Sequence, residues 1–109
     1  MTDTRKVLFQ ANPDAGVLTD GYTVPALTSV VVSSLAAANR SEYSAEFRVA
    51  IAVSGGADDP KQYLYYDAEI AGHDTFIATI GITLAATDVI RVYSSNGNVS
   101  FQAFGLEST

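Results

Sequence analysis

The stretch Phe47-Arg48-Val49-Ala50-Ile51-Ala52-Val53 decides the fold class of this chain. Large apolar side chains occupy every second position, at 47, 49, 51 and 53, with small or charged residues between them. A period of two is typical of a β-strand with one buried face, because a helix would distribute the same residues around its circumference. Such a strand needs neighbouring strands and a second layer to cover it.

The remaining chain supplies further short strands separated by turn residues. Strands are predicted at 6–11, 27–38, 43–53, 61–70, 76–84, 89–93 and 99–106, with brief pairing at 17–19 or near 22–25. Gly81 inside a strand predicts a bulge or a close backbone approach. Asn96-Gly97 predicts a hairpin in which the last strand pairs with the one before it. The alanines at 36–38 and 85–86 are favoured for short helical turns.

Seven or eight strands without a convincing helix predict an all-β fold, an antiparallel β-sandwich of jelly-roll or immunoglobulin-like topology. A closed barrel is the alternative. The chain has 109 residues, which is the size of one domain. We expect a flexible N-terminal arm over residues 1–6, either reaching to a neighbour or disordered, and a single sandwich domain over 7–109.

Composition excludes several classes of function. The chain has no cysteine, which excludes disulfides, thiolate metal sites and a thiol nucleophile. Six basic and twelve acidic residues give a net charge of −6, which disfavours binding to nucleic acid. No apolar run approaches the ~20 residues that span a bilayer, and Met1–Lys6 does not begin a signal peptide. We therefore expect neither nucleic acid nor membrane as a partner.

Reactive groups are few. His73-Asp74 could act as a general base pair, but no Gly-x-Ser-x-Gly elbow accompanies it, and a turn stabilised by its own backbone is the favoured interpretation. Asp58-Asp59 follows two glycines but lacks the ligand spacing of a calcium loop. The sequence therefore predicts no catalytic residue, no metal site and no cofactor.

Five residues are candidates for an interface: Tyr63, Tyr65, Tyr66, Arg48 and Arg91. Tyr63 and Tyr65 are expected on one face of their strand, with Leu64 and Tyr66 on the other. The tyrosines fit a core or protein interface, or else a stacking platform for sugars or bases.

The two arginines are expected on the outer faces of their strands. They either pair with Glu46, Asp67 or Glu69 across the sheet or contribute to an interface.

Short segments follow one another in a recognisable order: YTVP at 22–25, GITL at 81–84, DVIRVY at 88–93 and Phe104-Gly105 near the end. Between them lie SSL at 33–35, NR at 39–40, FRVA at 47–50, QYLYYD at 62–67, AGHDTF at 71–76 and VSF at 99–101. Together they cover most of the chain from residue 5 to 107, and they resemble a family of small structural proteins of tailed bacteriophages.

The resemblance implies a non-enzymatic virion component. The favoured hypothesis is a capsid decoration (cement) protein that binds and stabilises the major capsid protein lattice as a homotrimer on the head surface, after assembly in the bacterial cytoplasm. The alternative is a tail, baseplate or fibre-associated module that recognises host-surface glycan through the tyrosines and the loops near 55–59 and 94–98. An enzyme using His73 and Asp74 is the third hypothesis.

Overall fold

The computed structural model describes residues 2–109, and these form eight β-strands. The strands are β1 (Asp3–Ala11), β2 (Thr19–Thr23), β3 (Ser29–Asn39), β4 (Ala45–Ala52), β5 (Tyr63–Ile70), β6 (Thr75–Leu84), β7 (Val89–Ser94) and β8 (Val99–Ser108). Two 3₁₀ turns, Val53–Gly55 and Pro60–Gln62, lie between β4 and β5. The predicted all-β class is confirmed.

The strands form two four-stranded antiparallel sheets, ordered β1-β8-β3-β6 and β2-β7-β4-β5. The first strand therefore pairs with the eighth, the second with the seventh, the third with the sixth and the fourth with the fifth. This nested pairing is the wrapping of an eight-stranded jelly roll, whereas immunoglobulin sandwiches divide their strands differently. The sequence left jelly-roll and immunoglobulin-like topologies open, and this strand order is that of a jelly roll.

The core lies between the two sheets and is centred on β4. Phe47 is fully buried, and its ring centroid lies 5.2 Å from that of Phe76 and 6.1 Å from that of Phe101. Val49 and Val92 are buried beside it. The alternation of β4 thus places its large apolar side chains inward, as the sequence predicts. In the pairing of β6 with β3, β6 contains one extra residue between Thr79 and Ile82. The bulge predicted at Gly81 is therefore present.

The last strand is a correction to the sequence analysis. β8 pairs with β1 and β3, while β7 belongs to the other sheet, so the predicted hairpin between them is wrong. The four residues 95–98 carry the chain from one sheet to the other, with Gly97 at φ 71°. Asn96-Gly97 marks a turn correctly, but β8 pairs with β1 and β3, which are distant from it in the sequence.

The N-terminal boundary also differs from the expectation. Residues 3–6, expected in an arm, form the start of β1 and pair with residues 105–108 of β8. Lys6 Nζ lies 3.2 Å from Glu107, and the Ser108 hydroxyl donates to Asp3 at 2.7 Å. The extended β8 provides these partners. Thr2, also expected in the arm, exchanges two backbone hydrogen bonds of 2.9 Å with Thr109, and Met1 lies outside the described residues.

Two further expectations about the strands are wrong. Val53, expected on the core face, is exposed, because β4 ends at Ala52 and the chain enters a 3₁₀ turn. The alanines at 36–38 belong to β3 and form no helical turn, because that segment is hydrogen-bonded on both sides, to β6 and β8.

Two buried polar residues fasten the loops at opposite ends of the sandwich. Asn39 Nδ2 donates to the backbone carbonyls of Tyr43, Ile70 and Ala71 at 2.8, 3.2 and 3.2 Å. At the other end, Asp88 accepts hydrogen bonds from the amides of Ser54 and Ala85, both at 2.9 Å. Because unpaired buried polar groups are costly, these two residues determine how the loops close. The described part of the chain contains no helix with the length and apolarity needed to cross a membrane.

Candidate functional site

Arg48 lies on the outer face of the β2-β7-β4-β5 sheet, between the buried Phe47 and Val49. Its guanidinium carbon is 4.2 Å from the ring centroids of both Tyr66 and Tyr93. Tyr93 faces Arg48 across the β4–β7 ladder, and Tyr66 comes from β5 on the other side. The cation therefore lies between two aromatic rings, and its electrostatic attraction to each ring stabilises this arrangement.

Asp67 completes the surroundings of Arg48. Its carboxylate accepts hydrogen bonds from Nε at 2.6 Å and from Nη2 at 3.3 Å. The hydrogen bond to Asp67 raises the pKa of Arg48, and this effect exceeds the opposing effect of partial burial. Asp67 is one of the three carboxylates that the sequence proposes as partners for the arginines.

Two irregularities in β5 bring these residues to one face. Tyr63 is opposite Ala50 and Tyr65 is opposite the adjacent Val49, so β5 contains one residue more than β4 at this point. A second extra residue occurs between Tyr65 and Ala68, where Asp67 has a φ of 52°. An extra residue reverses the side of the sheet on which the following side chains lie. Tyr63 and Tyr66 therefore share the outer face.

The expectation that Tyr63 and Tyr65 face the same way is consequently wrong. Tyr65 packs inward, with its ring centroid 5.9 Å from that of Phe47 and 5.0 Å from that of Phe76. It belongs to the core and is separate from the other two tyrosines. Period-two alternation fails here because β5 contains two bulges. The local sequence does not reveal them.

Tyr63 and Tyr66 form one corner of a concave site. Their ring centroids are 5.0 Å apart and their planes are nearly perpendicular, at 89°. The Tyr63 hydroxyl donates to Asp58 Oδ1 at 2.8 Å, and the pKa of Tyr63 is raised by burial and by this hydrogen bond. A cavity of ~470 Å³ is lined by Arg48, Asp58, Pro60, Tyr63 and Tyr66. We call it the Arg48 pocket.

Arg91 has a different role from the one expected. Its Nε donates to Asp20 at 2.9 Å, because β2 lies beside β7 and places Asp20 opposite Arg91. The expected partners for this arginine, Glu46, Asp67 or Glu69, are therefore wrong. The guanidinium also donates to the carbonyls of Gly56 and Gly55, at 2.7 and 3.3 Å. Arg91 thus anchors the segment that leads to Asp58 and Pro60.

That segment is further ordered by Asp59. Its carboxylate accepts a hydrogen bond from the Lys61 amide at 3.1 Å, and the Gln62 side chain accepts one from the Asp59 amide at 3.3 Å. This reciprocal capping starts the second 3₁₀ turn. The loop near 55–59 is therefore adjacent to the tyrosines, as the glycan hypothesis expects. The loop near 94–98 lies at the opposite end of the sandwich from the loop near 55–59, and there the Arg40 amide donates to the Asn98 carbonyl.

The remaining reactive groups are in turns. His73 has a φ of 56° and its amide donates to Ser41, while the Asp74 carboxylate accepts from the Thr75 amide at 2.8 Å. This is the backbone-stabilised turn that the sequence favours. Among residues 2–109 there is no group of three or more His, Cys, Asp or Glu side chains placed to hold a metal ion.

The opposite sheet has a shallow apolar groove of ~560 Å³ on its outer face. It is lined by residues of β1, β3 and β8: Arg5, Lys6, Val7, Val31, Ser33, Phe104, Gly105 and Leu106. We call this the outer groove. Val31 is 41 % exposed although it lies in a central strand. In the sequence, both faces of this strand mix apolar and small residues. This pattern predicts that both faces of the strand are covered.

The sequence pattern does not identify Asp58, Pro60 and Tyr93 as neighbours of Arg48. No local signal could have identified them, because they reach Arg48 through a loop and through strand pairing. No protein-family model matches the sequence, and a search of curated proteins found no match.

Proposed function

We propose that this chain is a non-enzymatic structural protein of a tailed-bacteriophage particle, specifically a capsid decoration protein that binds and stabilises the lattice of the major capsid protein. The observation that carries the proposal is the outer groove. It presents partly exposed apolar side chains on the outer face of a sheet, a surface that a partner protein would bury on binding.

Two other features support the proposal. Eight-stranded jelly rolls occur in viral capsid domains and in lectins, although a fold does not determine a function. The ordered sequence segments that resemble small phage structural proteins are spread over both sheets. A protein that binds the assembled shell in preference to free subunits stabilises the shell by mass action.

The proposal includes a homotrimer at symmetric positions on the head surface, assembled in the bacterial cytoplasm. Three copies around a three-fold axis would each present the same outer groove to equivalent capsid subunits. Sedimentation equilibrium of the purified chain measures the oligomeric state. A mass of three chains is expected, and a monomer at every concentration tested contradicts the trimer.

Electron cryo-microscopy of purified particles of the phage that encodes the chain tests the location directly. We expect density for the jelly roll on the head, with the β1-β8-β3-β6 sheet towards the shell. Density confined to the tail tip or baseplate would instead favour the competing proposal, a tail-associated module, and would reject decoration.

A binding experiment tests the outer groove itself. Particles made without the gene are mixed with purified protein and separated on a density gradient. Val31→Glu places a charge in the groove, and we expect at least a tenfold weaker association with heads. Val17→Glu is the matched control, because Val17 is similarly exposed, at 50 %, but lies in the loop between β1 and β2. Equal binding by the two variants would exclude the groove as the attachment surface.

A further inference from the structure

The Arg48 pocket has the features of a small-ligand site on the sheet opposite to the outer groove. Its volume of ~470 Å³ lies within the ~300–1,000 Å³ typical of ligand pockets. Two tyrosines and a proline supply its apolar surface, and one carboxylate and one guanidinium supply the charged groups. Such a mixture of apolar wall and few polar groups defines both the orientation and the identity of a ligand.

The two tyrosine rings determine what shape fits. Because Tyr63 and Tyr66 stand nearly perpendicular, a ring-shaped ligand stacked on one of them is itself perpendicular to the other. Tyr66 is 60 % exposed, so much of its surface is accessible to a ligand. The face of an aromatic ring carries partial negative charge and attracts C–H groups, which project from the apolar face of a pyranose sugar.

Asp58 supplies an acceptor beside the rings. The Tyr63 hydroxyl occupies one position on Oδ1, and a carboxylate offers about four acceptor positions in total. Hydroxyl groups at the edge of a sugar are donors that suit the remaining positions. Aromatic stacking next to a carboxylate is therefore complementary to a sugar's two chemically different surfaces.

The charges of the pocket indicate that the ligand is neutral. Arg48 is already paired with Asp67, and Tyr66 and Tyr93 both contact its guanidinium, so little of its charge remains for an anion. Asp58 contributes a negative charge in the pocket, and the whole chain has a net charge of −6. Acidic sugars and phosphate esters would be repelled by this field.

The walls of the pocket are held in place before a ligand arrives. Arg91 fixes the segment preceding Asp58, and the capping by Asp59 fixes Pro60. The pair of bulges fixes the two tyrosines on one face. A preorganised site loses little conformational freedom on binding. From this geometry we infer that the Arg48 pocket binds a neutral pyranose unit of a carbohydrate, independently of the attachment through the outer groove.

Saturation-transfer-difference NMR on the full chain tests this inference, with methyl glucoside, galactoside, mannoside and N-acetylglucosaminide as probes. We expect transfer to the ring C–H protons of at least one glycoside, with saturable binding in a titration. Tyr66→Ala should weaken that binding at least fivefold, and Tyr66→Phe should leave it within twofold, because stacking depends on the ring. Asp58→Asn should weaken it severalfold.

Tyr43→Ala is the matched control, because Tyr43 is 72 % exposed and follows β3 at the opposite end of the sandwich. We expect unchanged binding by this variant. Saturable binding to none of the neutral glycosides would overturn the inference. So would an equal loss in Tyr43→Ala and Tyr66→Ala, or a preference for glucuronic acid over its neutral counterpart.

Discussion

Asp67 binds Arg48 from a backbone conformation that few non-glycine residues adopt. The φ of Asp67 is 52°, and its carboxylate receives both Nε and Nη2 of the arginine. The left-handed conformation belongs to the extra residue in β5, and it directs the carboxylate towards the outer face. The extra residue at Leu64 thus turns Tyr66 outward, and the extra residue at Asp67 supplies the counter-ion that holds Arg48 beside it.

Substitutions of Asp67 separate the conformational role from the electrostatic one. Asp67→Asn is expected to lower the free energy of unfolding by about 0.5–1 kcal/mol, because the ion pair is partly exposed and asparagine also tolerates positive φ. Asp67→Ala is expected to lower it by about 1–2 kcal/mol, because the left-handed conformation then adds strain. Urea denaturation measures both. Identical losses would indicate that the backbone conformation contributes nothing.

Arg91→Lys tests the anchoring of the segment before Asp58. Lysine keeps the charge near Asp20 but lacks the planar fork that reaches the carbonyls of Gly55 and Gly56. We expect hydrogen exchange to accelerate at the amides of residues 54–57, with the core strands unaffected. Glycoside binding should weaken as well, although Arg91 does not line the Arg48 pocket. Unchanged exchange in the segment would show that other contacts hold it.

Leu27 combines two unfavourable features, a φ of 58° and a side chain that is 93 % exposed. Leu27→Gly removes the strain of about 1–2 kcal/mol but adds backbone entropy to the unfolded chain of about 0.5–1 kcal/mol. We therefore expect the free energy of unfolding, measured by urea denaturation, to be unchanged or to rise by up to about 1.5 kcal/mol. A loss greater than about 1 kcal/mol would reveal a stabilising contact made by the leucine side chain.

The sequence predicts what depends on alternation and misses what depends on pairing. The period-two pattern of β4 places Phe47 in the core correctly, because the pattern lies within one strand. Tyr65 is misassigned because an extra residue at Leu64 changes the face, and nothing in QYLYYD marks the bulge. Asp67 is one of three carboxylates that the sequence offers as a partner for Arg48, and the β4–β5 pairing brings the two together.

The partners that escape prediction are those set by strand order. Arg91 pairs with Asp20 because β2 lies beside β7. No local sequence pattern predicts which strands become neighbours. Asp58 approaches Tyr63 only because its loop is folded back by distant hydrogen bonds. The local sequence therefore predicts which segments form strands, but it does not predict which residues line the Arg48 pocket.

Asn39→Ala tests the fastening of the loops at one end of the sandwich. The variant leaves the carbonyls of Tyr43, Ile70 and Ala71 without their common donor, and Asn39 is almost completely buried. We expect a loss of about 2–4 kcal/mol, since each buried polar group without a partner costs about 1–3 kcal/mol. Chemical denaturation measures the loss. A cost below about 1 kcal/mol would mean that water replaces the amide.

The contact between Tyr22 and Glu107 joins the two sheets and makes stability depend on pH. The phenol of Tyr22 on β2 donates to the carboxylate of Glu107 on β8. This hydrogen bond, with a smaller contribution from Lys6, holds the pKa of Glu107 below the ordinary 4.5. A carboxyl group whose pKa is lowered by folding stabilises the protein above its ordinary pKa, and the stabilisation disappears as the pH falls through the lowered value.

We therefore expect the difference in unfolding free energy between wild type and Tyr22→Phe to be largest near pH 7 and to shrink below pH 4.5. Phenylalanine retains the stacking on Phe9, whose ring centroid lies 6.3 Å from that of Tyr22. Urea denaturation between about pH 3 and pH 7 measures the difference. Lys6→Met is the control, with a smaller effect in the same direction, because Tyr22 is the main cause of the lowered pKa. A difference that is constant across this range would show that Glu107 does not titrate in contact with Tyr22.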